Sequence, residues 1–256
     1  MPLAEEVMDF VDRLLTETSA SLEILLDICG DAVAEAILIV RELLYTELST
    51  ELCSRVENRK LMLACMDMQE NLLSLALATA RGNTALIAMI SRRVLEEASS
   101  MVTKDRRFYN TVPAIIAEIL RKCSAEDVEE ARHSLRKFLR DGVQSFLSSF
   151  VHPEGKGLET YLGVYGKPPI IGTDPGNLCT AFEEVLKAAM ISMMTTATIK
   201  AIALNNMDYI EKLIETLNKL KNLSITRHEP VQVFINSYVS ILECLISTKQ
   251  SIEIQR

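Results

Sequence analysis

The chain has 256 residues, among them 9 Gly, 7 Pro and no Trp. Average usage of about 7% Gly and about 5% Pro would give roughly 31 such residues, so residues that break helices are scarce. Hydrophobic residues make up 48% of the chain and aromatic residues only 5%, so most apolar side chains are of kinds that favour helices. This composition disfavours β-sandwiches, β-barrels, collagen-like repeats and disordered chains.

The net charge of −8 disfavours broad electrostatic binding to nucleic acid or to anionic membranes. The first six residues lack a basic start followed by an apolar core, so no secretory signal is visible. The longest runs without a charge, residues 188–199 and 230–242, are shorter than the roughly 18 apolar residues that span a bilayer. We therefore expect a cytoplasmic protein that does not contact membranes.

Cysteine spacing argues against a zinc knuckle or a thioredoxin-like site, because there is no C-x-x-C pair and no short Cys/His cluster. Most of the cysteines are predicted to be free, buried side chains in helices. Disulfides are the alternative if the protein comes from a hyperthermophile. The scarcity of Gln is typical of a thermophile. The six are Cys29, Cys53, Cys65, Cys123, Cys179 and Cys244.

Helical spacing of apolar residues, interrupted by Gly, Pro and capping residues, predicts about eight or nine helices. In chain order they cover residues 3–29, 32–81 as two helices or one bent helix, 84–103, 113–122, 124–150, 177–206, 208–222 and 230 onward. Gly30 and Gly82 are predicted to end helices in the left-handed conformation. The predicted starts are marked by Asp31, Asn83 or Thr84, Pro113, Asn177, Asp208 and Pro230.

The segment 151–177 interrupts this pattern, since ten of the Gly and Pro residues lie between positions 153 and 176. Long irregular stretches in a helical chain are disproportionately lids or binding loops, and this one leads into a helix N-terminus, which suits an anion. The residues predicted to bind an anionic ligand there are His152, Lys156, Tyr161, Tyr165, Lys167 and Asn177.

A basic stripe is predicted on the helix 124–150, where arginines recur every four residues. It would suit an anionic partner, such as an acidic surface of another copy, although most such stripes are solvated. The stripe consists of Arg132, His133, Arg136, Lys137 and Arg140. Glu130 and His133 form an E-x-x-H, but a di-iron site needs a second such motif, so neither a metal nor a cofactor is predicted.

We predict an all-α fold of helices in antiparallel pairs, forming a bundle or a short helical array. Its parts would be a helical bundle (1–150), a Gly/Pro-rich loop (151–177) and three helices (178–256) on the same core. No 34-residue period is sustained, which favours a bundle over a solenoid.

The leading functional hypothesis is a non-enzymatic interaction or scaffold protein that self-associates, since no catalytic pattern is present. The alternatives are a helical enzyme or anion-binding protein with its site under the loop, and, with less support, a helical subunit of a nucleoprotein complex.

Overall fold

The computed structural model describes residues 2–49, 59–102, 107–123, 128–145, 147, 175–223 and 229–254. Within these ranges the chain forms nine α-helices, one π-helical segment and no β-strand, which confirms the all-α prediction. The helices are α1 (Pro2–Cys29), α2 (Asp31–Ser49), α3 (Arg59–Ala80), α4 (Thr84–Val102), α5 (Phe108–Lys122), α6 (Val128–Lys137), α7 (Pro175–Leu204), α8 (Met207–Leu220) and α9 (Glu229–Ile254), and the π-helical segment is Phe138–Ser145.

Several helix ends lie where local backbone chemistry places them. Gly30 and Gly82 have φ values of +54° and +63°, a left-handed conformation that glycine adopts without a Cβ clash. Asn205 has a φ of 49° after α7, and the Asn206 side chain caps α8 by accepting a hydrogen bond of 3.1 Å from the Tyr209 amide. The predicted ends of α1, α3 and α7 are confirmed, whereas α8 begins at Met207 behind the Asn206 cap and not at the predicted Asp208.

Two predicted helix starts are wrong. Pro113 lies inside α5, which begins at Phe108, because the buried side chains of Phe108 and Val112 extend the helix by a turn before the proline. Asn177 does not cap α7, because that helix begins at Pro175, whose fixed φ suits a first turn.

The predicted helix 124–150 is also not a single α-helix in its described part. After α6 the chain continues as a π-helical segment over Phe138–Ser145, where the Ser145 hydroxyl donates to the Arg140 carbonyl five residues earlier, at 3.0 Å. Leu139, Val143 and Leu147 are all fully buried. These three residues, spaced by four, form the core side of this stretch.

Helix α7 is the centre of the core, as the apolar sequence around its circumference predicts. Every described side chain from Ala188 to Ala201 is buried, and α7 packs most extensively against α4. Its hydroxyl side chains find hydrogen-bond acceptors within the same helix: Ser192 and Thr196 donate to backbone carbonyls one turn earlier at 2.8 Å. A polar residue can therefore occupy this core without an unpaired donor.

Two helical stretches are long and apolar enough to cross a membrane by length and composition. They are Phe182–Leu204 in α7 and Val231–Thr248 in α9, each with a mean hydropathy of 1.3. In the first stretch 89% of the residues in the most apolar window are buried within the protein, as they also would be in the core helix of a water-soluble fold. In the second stretch the share of buried residues is 39%. Composition of this kind is weak evidence for a membrane protein.

Four of the six cysteines are paired, which corrects the prediction that most are free. Cys29 at the end of α1 bonds to Cys179 in α7, with Cα atoms 5.3 Å apart. Cys123 after α5 bonds to Cys244 in α9, with Cα atoms 6.2 Å apart. Both separations suit a disulfide. The pairs are 150 and 121 residues apart in sequence, so spacing along the chain gives no sign of them.

Candidate functional site

The candidate site lies on the helical hairpin formed by α3 and α4. The turn between them follows the Schellman pattern, because the Gly82 amide donates to the Thr79 carbonyl at 3.0 Å and the Asn83 amide to the Ala78 carbonyl at 2.9 Å. The Asn83 side chain then caps α4 by accepting from the Leu86 amide at 3.0 Å, as predicted. This compact turn fixes the two helices as antiparallel neighbours.

The outer surface of α3 carries a heptad stripe. Exposed residues recur there at alternating spacings of three and four, which is the spacing of the contact positions in a coiled coil. Four of the five are apolar and half-exposed, with Glu70 in the middle. The stripe consists of Leu63, Met66, Glu70, Leu73 and Leu77.

Helix α4 carries a stripe of the same spacing beside the first. Its apolar members are next to the turn, and its polar members lie toward the far end. They are Leu86, Met89, Arg93, Glu96 and Ser100. We call the two stripes together the hairpin face. Its six apolar side chains are between 39% and 55% exposed.

The two stripes lie level with each other. Leu77 and Leu86 line the same groove at the turn end, and further along Asn71, the neighbour of Glu70, donates to Glu97, which pairs with Arg93. The antiparallel register that these pairs define brings Leu73 level with Met89. Each layer of the face therefore holds one residue from each helix: the layers are apolar near the turn, oppositely charged at the middle, and mixed at the far end, where Met66 is level with Glu96 and Leu63 with Ser100.

The charged layer is held in place by its neighbours. Arg93 Nε lies 2.6 Å from Glu97 Oε1, and Asn71 Nδ2 donates to the other oxygen of Glu97 at 3.2 Å. The hydrogen bond to Glu97 and that carboxylate's charge raise the pKa of Arg93 above its ordinary value, and Asp67 and Glu70 raise it further. Arg93 is thus a fixed cation in an otherwise acidic neighbourhood.

An apolar groove opens at the turn end of the hairpin face, with a volume of about 420 Å³. Helix α1 forms one wall, and the Arg81 guanidinium anchors it by donating to the Thr18 hydroxyl at 3.0 Å. Among residues 10–29 of α1 only Leu25 is buried, so this helix leaves much of its apolar surface uncovered. The groove is lined by Val11, Leu14, Leu15, Thr18, Ser74, Leu77, Ala78, Arg81, Asn83 and Leu86.

The predicted ligand residues cannot be placed by this structure. His152, Lys156, Tyr161, Tyr165 and Lys167 lie outside the described residues. Asn177 lies in the first turn of α7, and its side chain also falls outside the description. The anion site under the 151–177 loop stays a prediction.

The predicted basic stripe is exposed at all five positions: Arg132, His133, Arg136, Lys137 and Arg140. Two of its arginines already have acidic neighbours. Arg132 lies 3.4 Å from Glu129, and Arg140 lies 2.7 Å from Asp141.

The spacing of the basic stripe also changes along its length, since Arg140 falls in the π-helical segment and leaves the line that an α-helix would make. Across the described part of the chain, no group of three or more potential metal ligands comes together.

A buried polar cluster joins α2, α7 and α8 and was not foreseen from the sequence. Glu47 accepts hydrogen bonds from Lys200 and from the Tyr209 hydroxyl, and the neighbouring Thr46 hydroxyl lies 2.7 Å from that of Thr216. All of these side chains are buried. The cluster therefore joins helices within the core and presents no surface to a ligand.

Comparison with protein-family models, curated proteins and solved structures finds no match for this chain.

Proposed function

We propose that this chain is a non-enzymatic α-helical interaction protein that binds protein through its hairpin face. The observation that carries the proposal is the pair of level heptad stripes, whose apolar side chains are about half exposed. Heptad-spaced apolar residues on two adjacent helices are the pattern that buries against further helices. A contiguous exposed apolar surface of this kind marks an interaction site more often than scattered apolar residues do.

The groove supports the same function. It is open at the turn end of the face. Six of its ten lining residues are aliphatic, and Thr18, Ser74, Arg81 and Asn83 are its polar members. Apolar surface combined with a few hydrogen-bonding groups is the usual composition of a protein interface. Because α1 forms one wall and buries little of its own surface, an approaching helix can contact α1, α3 and α4 together.

Site-specific photocrosslinking tests this proposal. A benzophenone amino acid replaces Leu77 in the groove, or Val233 on α9 as a control; both native side chains are 55% exposed. In cells that express the full chain, we expect protein adducts from position 77 and few from position 233. Equal yields at both positions would show that the hairpin face is not a binding surface.

A further inference from the structure

We infer that the hairpin face binds a second copy of this chain, as a two-fold dimer in which Glu70 of each copy lies against Arg93 of the other. The inference rests on the proposed function of the face and names its partner. The axis runs parallel to the hairpin, between α3 and α4. It lays α3 of one copy on α4 of the other, and the four helices form an antiparallel bundle.

The two layers nearest the turn and the charged layer fit this arrangement because each of the three complements itself; the two far layers place Met66 against Glu96 and Leu63 against Ser100. A two-fold axis along the hairpin keeps every residue at its own level and exchanges the two helices. Leu77 of one copy then meets Leu86 of the other, and Leu73 meets Met89. Apolar layers therefore meet apolar layers without any shift in register.

The charged layer gives the specificity. Within one copy Glu70 and Arg93 lie near the same level, because Asn71 beside Glu70 donates to Glu97, the ion-pair partner of Arg93. The axis that joins the apolar layers therefore also brings each carboxylate to a guanidinium of the second copy. A register shifted by one layer toward the turn moves these charges onto the apolar layer of Leu73 and Met89, which costs desolvation without a partner. A polar residue in a heptad stripe commonly fixes register and partner in this way.

The exposed surface supplies a substantial part of a stable interface. An aliphatic side chain that is about half exposed presents on the order of 50 Å² of apolar surface. The six apolar residues of the face, with Val11 and Leu15 of α1, then supply roughly 400 Å², about half of what each partner buries in a standard stable interface, before the polar members of the two stripes are counted. Closed two-fold dimers are also the commonest soluble assemblies.

The first experiment is sedimentation equilibrium of the full chain over a range of concentrations, with two variants. We expect the wild type to form dimers and Leu77→Glu to weaken dimerisation at least about 30-fold, because it places a charge in an apolar layer that occurs twice. Val233→Glu, at an equally exposed position on α9, should leave the dimer dissociation constant unchanged. Circular dichroism confirms that both variants are folded. A wild-type chain that stays monomeric would overturn the inference.

The second experiment tests the contact between copies directly. Glu70→Arg alone places two arginines opposite each other across the axis, and Arg93→Glu alone places two carboxylates there, so each variant should be largely monomeric. In a mixture, however, the arginine introduced in one variant faces the carboxylate introduced in the other, and the native pair of Glu70 and Arg93 forms at the second site. We expect the mixture to form heterodimers. No contact within a single copy is restored by mixing, so only the proposed packing gives this rescue.

The outcomes separate the two proposals. Dimers that survive Leu77→Glu, or single variants that mixing does not rescue, would mean that the copies associate through another surface, which overturns the inference. A monomeric wild type that still forms adducts with a different protein from position 77 would overturn the inference and leave the proposed function standing. Adducts whose mass and peptides are those of two copies of this chain support both.

Discussion

Lys200 and Glu47 form an ion pair in which each side chain is 1% exposed. The pair connects α7 to α2, and the Tyr209 hydroxyl of α8 donates to the other oxygen of Glu47. The Lys200 ammonium also lies 5.1 Å from the centre of the Tyr209 ring. Because water does not reach either charge, each depends on the other for compensation.

Removing one charge of this pair should be far worse than removing both. Lys200→Met leaves a buried carboxylate without its cation, and we expect it to lower the free energy of unfolding by about 3–5 kcal/mol. Adding Glu47→Gln removes the charge and keeps an oxygen for Tyr209, so the double variant should recover at least half of the loss. Urea unfolding at pH 7 measures both. A double variant as unstable as the single one would contradict this account.

Tyr238 should make stability depend on alkaline pH. Its hydroxyl lies 2.5 Å from that of Thr195, and burial raises its pKa above the ordinary 10.0, opposed in part by the hydrogen bond to Thr195. Folding therefore favours the protonated form. The contribution of protonated Tyr238 to the free energy of unfolding is complete below pH 10, and it is lost as the pH rises from there through the raised pKa of the folded state.

The measurement for Tyr238 is urea unfolding at pH 9 and pH 11, for the wild type and for Tyr238→Phe. The wild type should lose about 1.4 kcal/mol more than the variant over this range, because only its unfolded state gains a phenolate at this position. The remaining tyrosines are common to both proteins and cancel. Parallel pH profiles would show that Tyr238 ionises equally in the folded and unfolded states.

The disulfide between Cys29 and Cys179 should contribute directly to stability. Replacing both residues with Ser should lower the free energy of unfolding by about 2–5 kcal/mol, because the bond closes a long loop in the unfolded chain. Denaturation under oxidising conditions measures the loss, and a reducing agent should abolish the difference between the two proteins. Peptide mapping without reduction should find Cys29 linked to Cys179; a link to any other cysteine would refute this pairing.

Gly30 should be required for its backbone conformation alone. Its φ is +54°, and a Cβ placed there would have nothing within 4 Å. Gly30→Ala should therefore cost about 1–2 kcal/mol through the left-handed conformation, and Gly30→Asn should cost less, since Asn adopts that conformation more readily. Thermal unfolding of the two variants makes the comparison. An alanine variant as stable as the wild type would exclude this role.

Local chemistry made some features of this fold predictable. The ends of α1, α3 and α7 follow from Gly30, Gly82 and Asn205, because a left-handed residue stops a helix whatever surrounds it. The central position of α7 follows from a helix that is apolar on every side. In α5 burial of Phe108 prevailed over the placement of Pro113, so local rules alone misplaced that start.

The hairpin face could not be assigned from sequence because α3 carries two apolar stripes. Both have helical spacing, and only tertiary packing decides which one faces the core. The structure buries the stripe of Met68, Leu72 and Leu75 and exposes the stripe that includes Leu73 and Leu77. The ion pair of Glu47 and Lys200 was unpredictable for a related reason, since its members are 153 residues apart.

The two disulfides interleave along the chain. Cys29 and Cys123 precede residues 151–174, and their partners Cys179 and Cys244 follow them. A protease cut anywhere in that segment would thus leave one covalent molecule, and the pieces would separate only after both bridges are reduced and the core unfolds. Peptide continuity at this point is therefore not what keeps the N-terminal and C-terminal helices together.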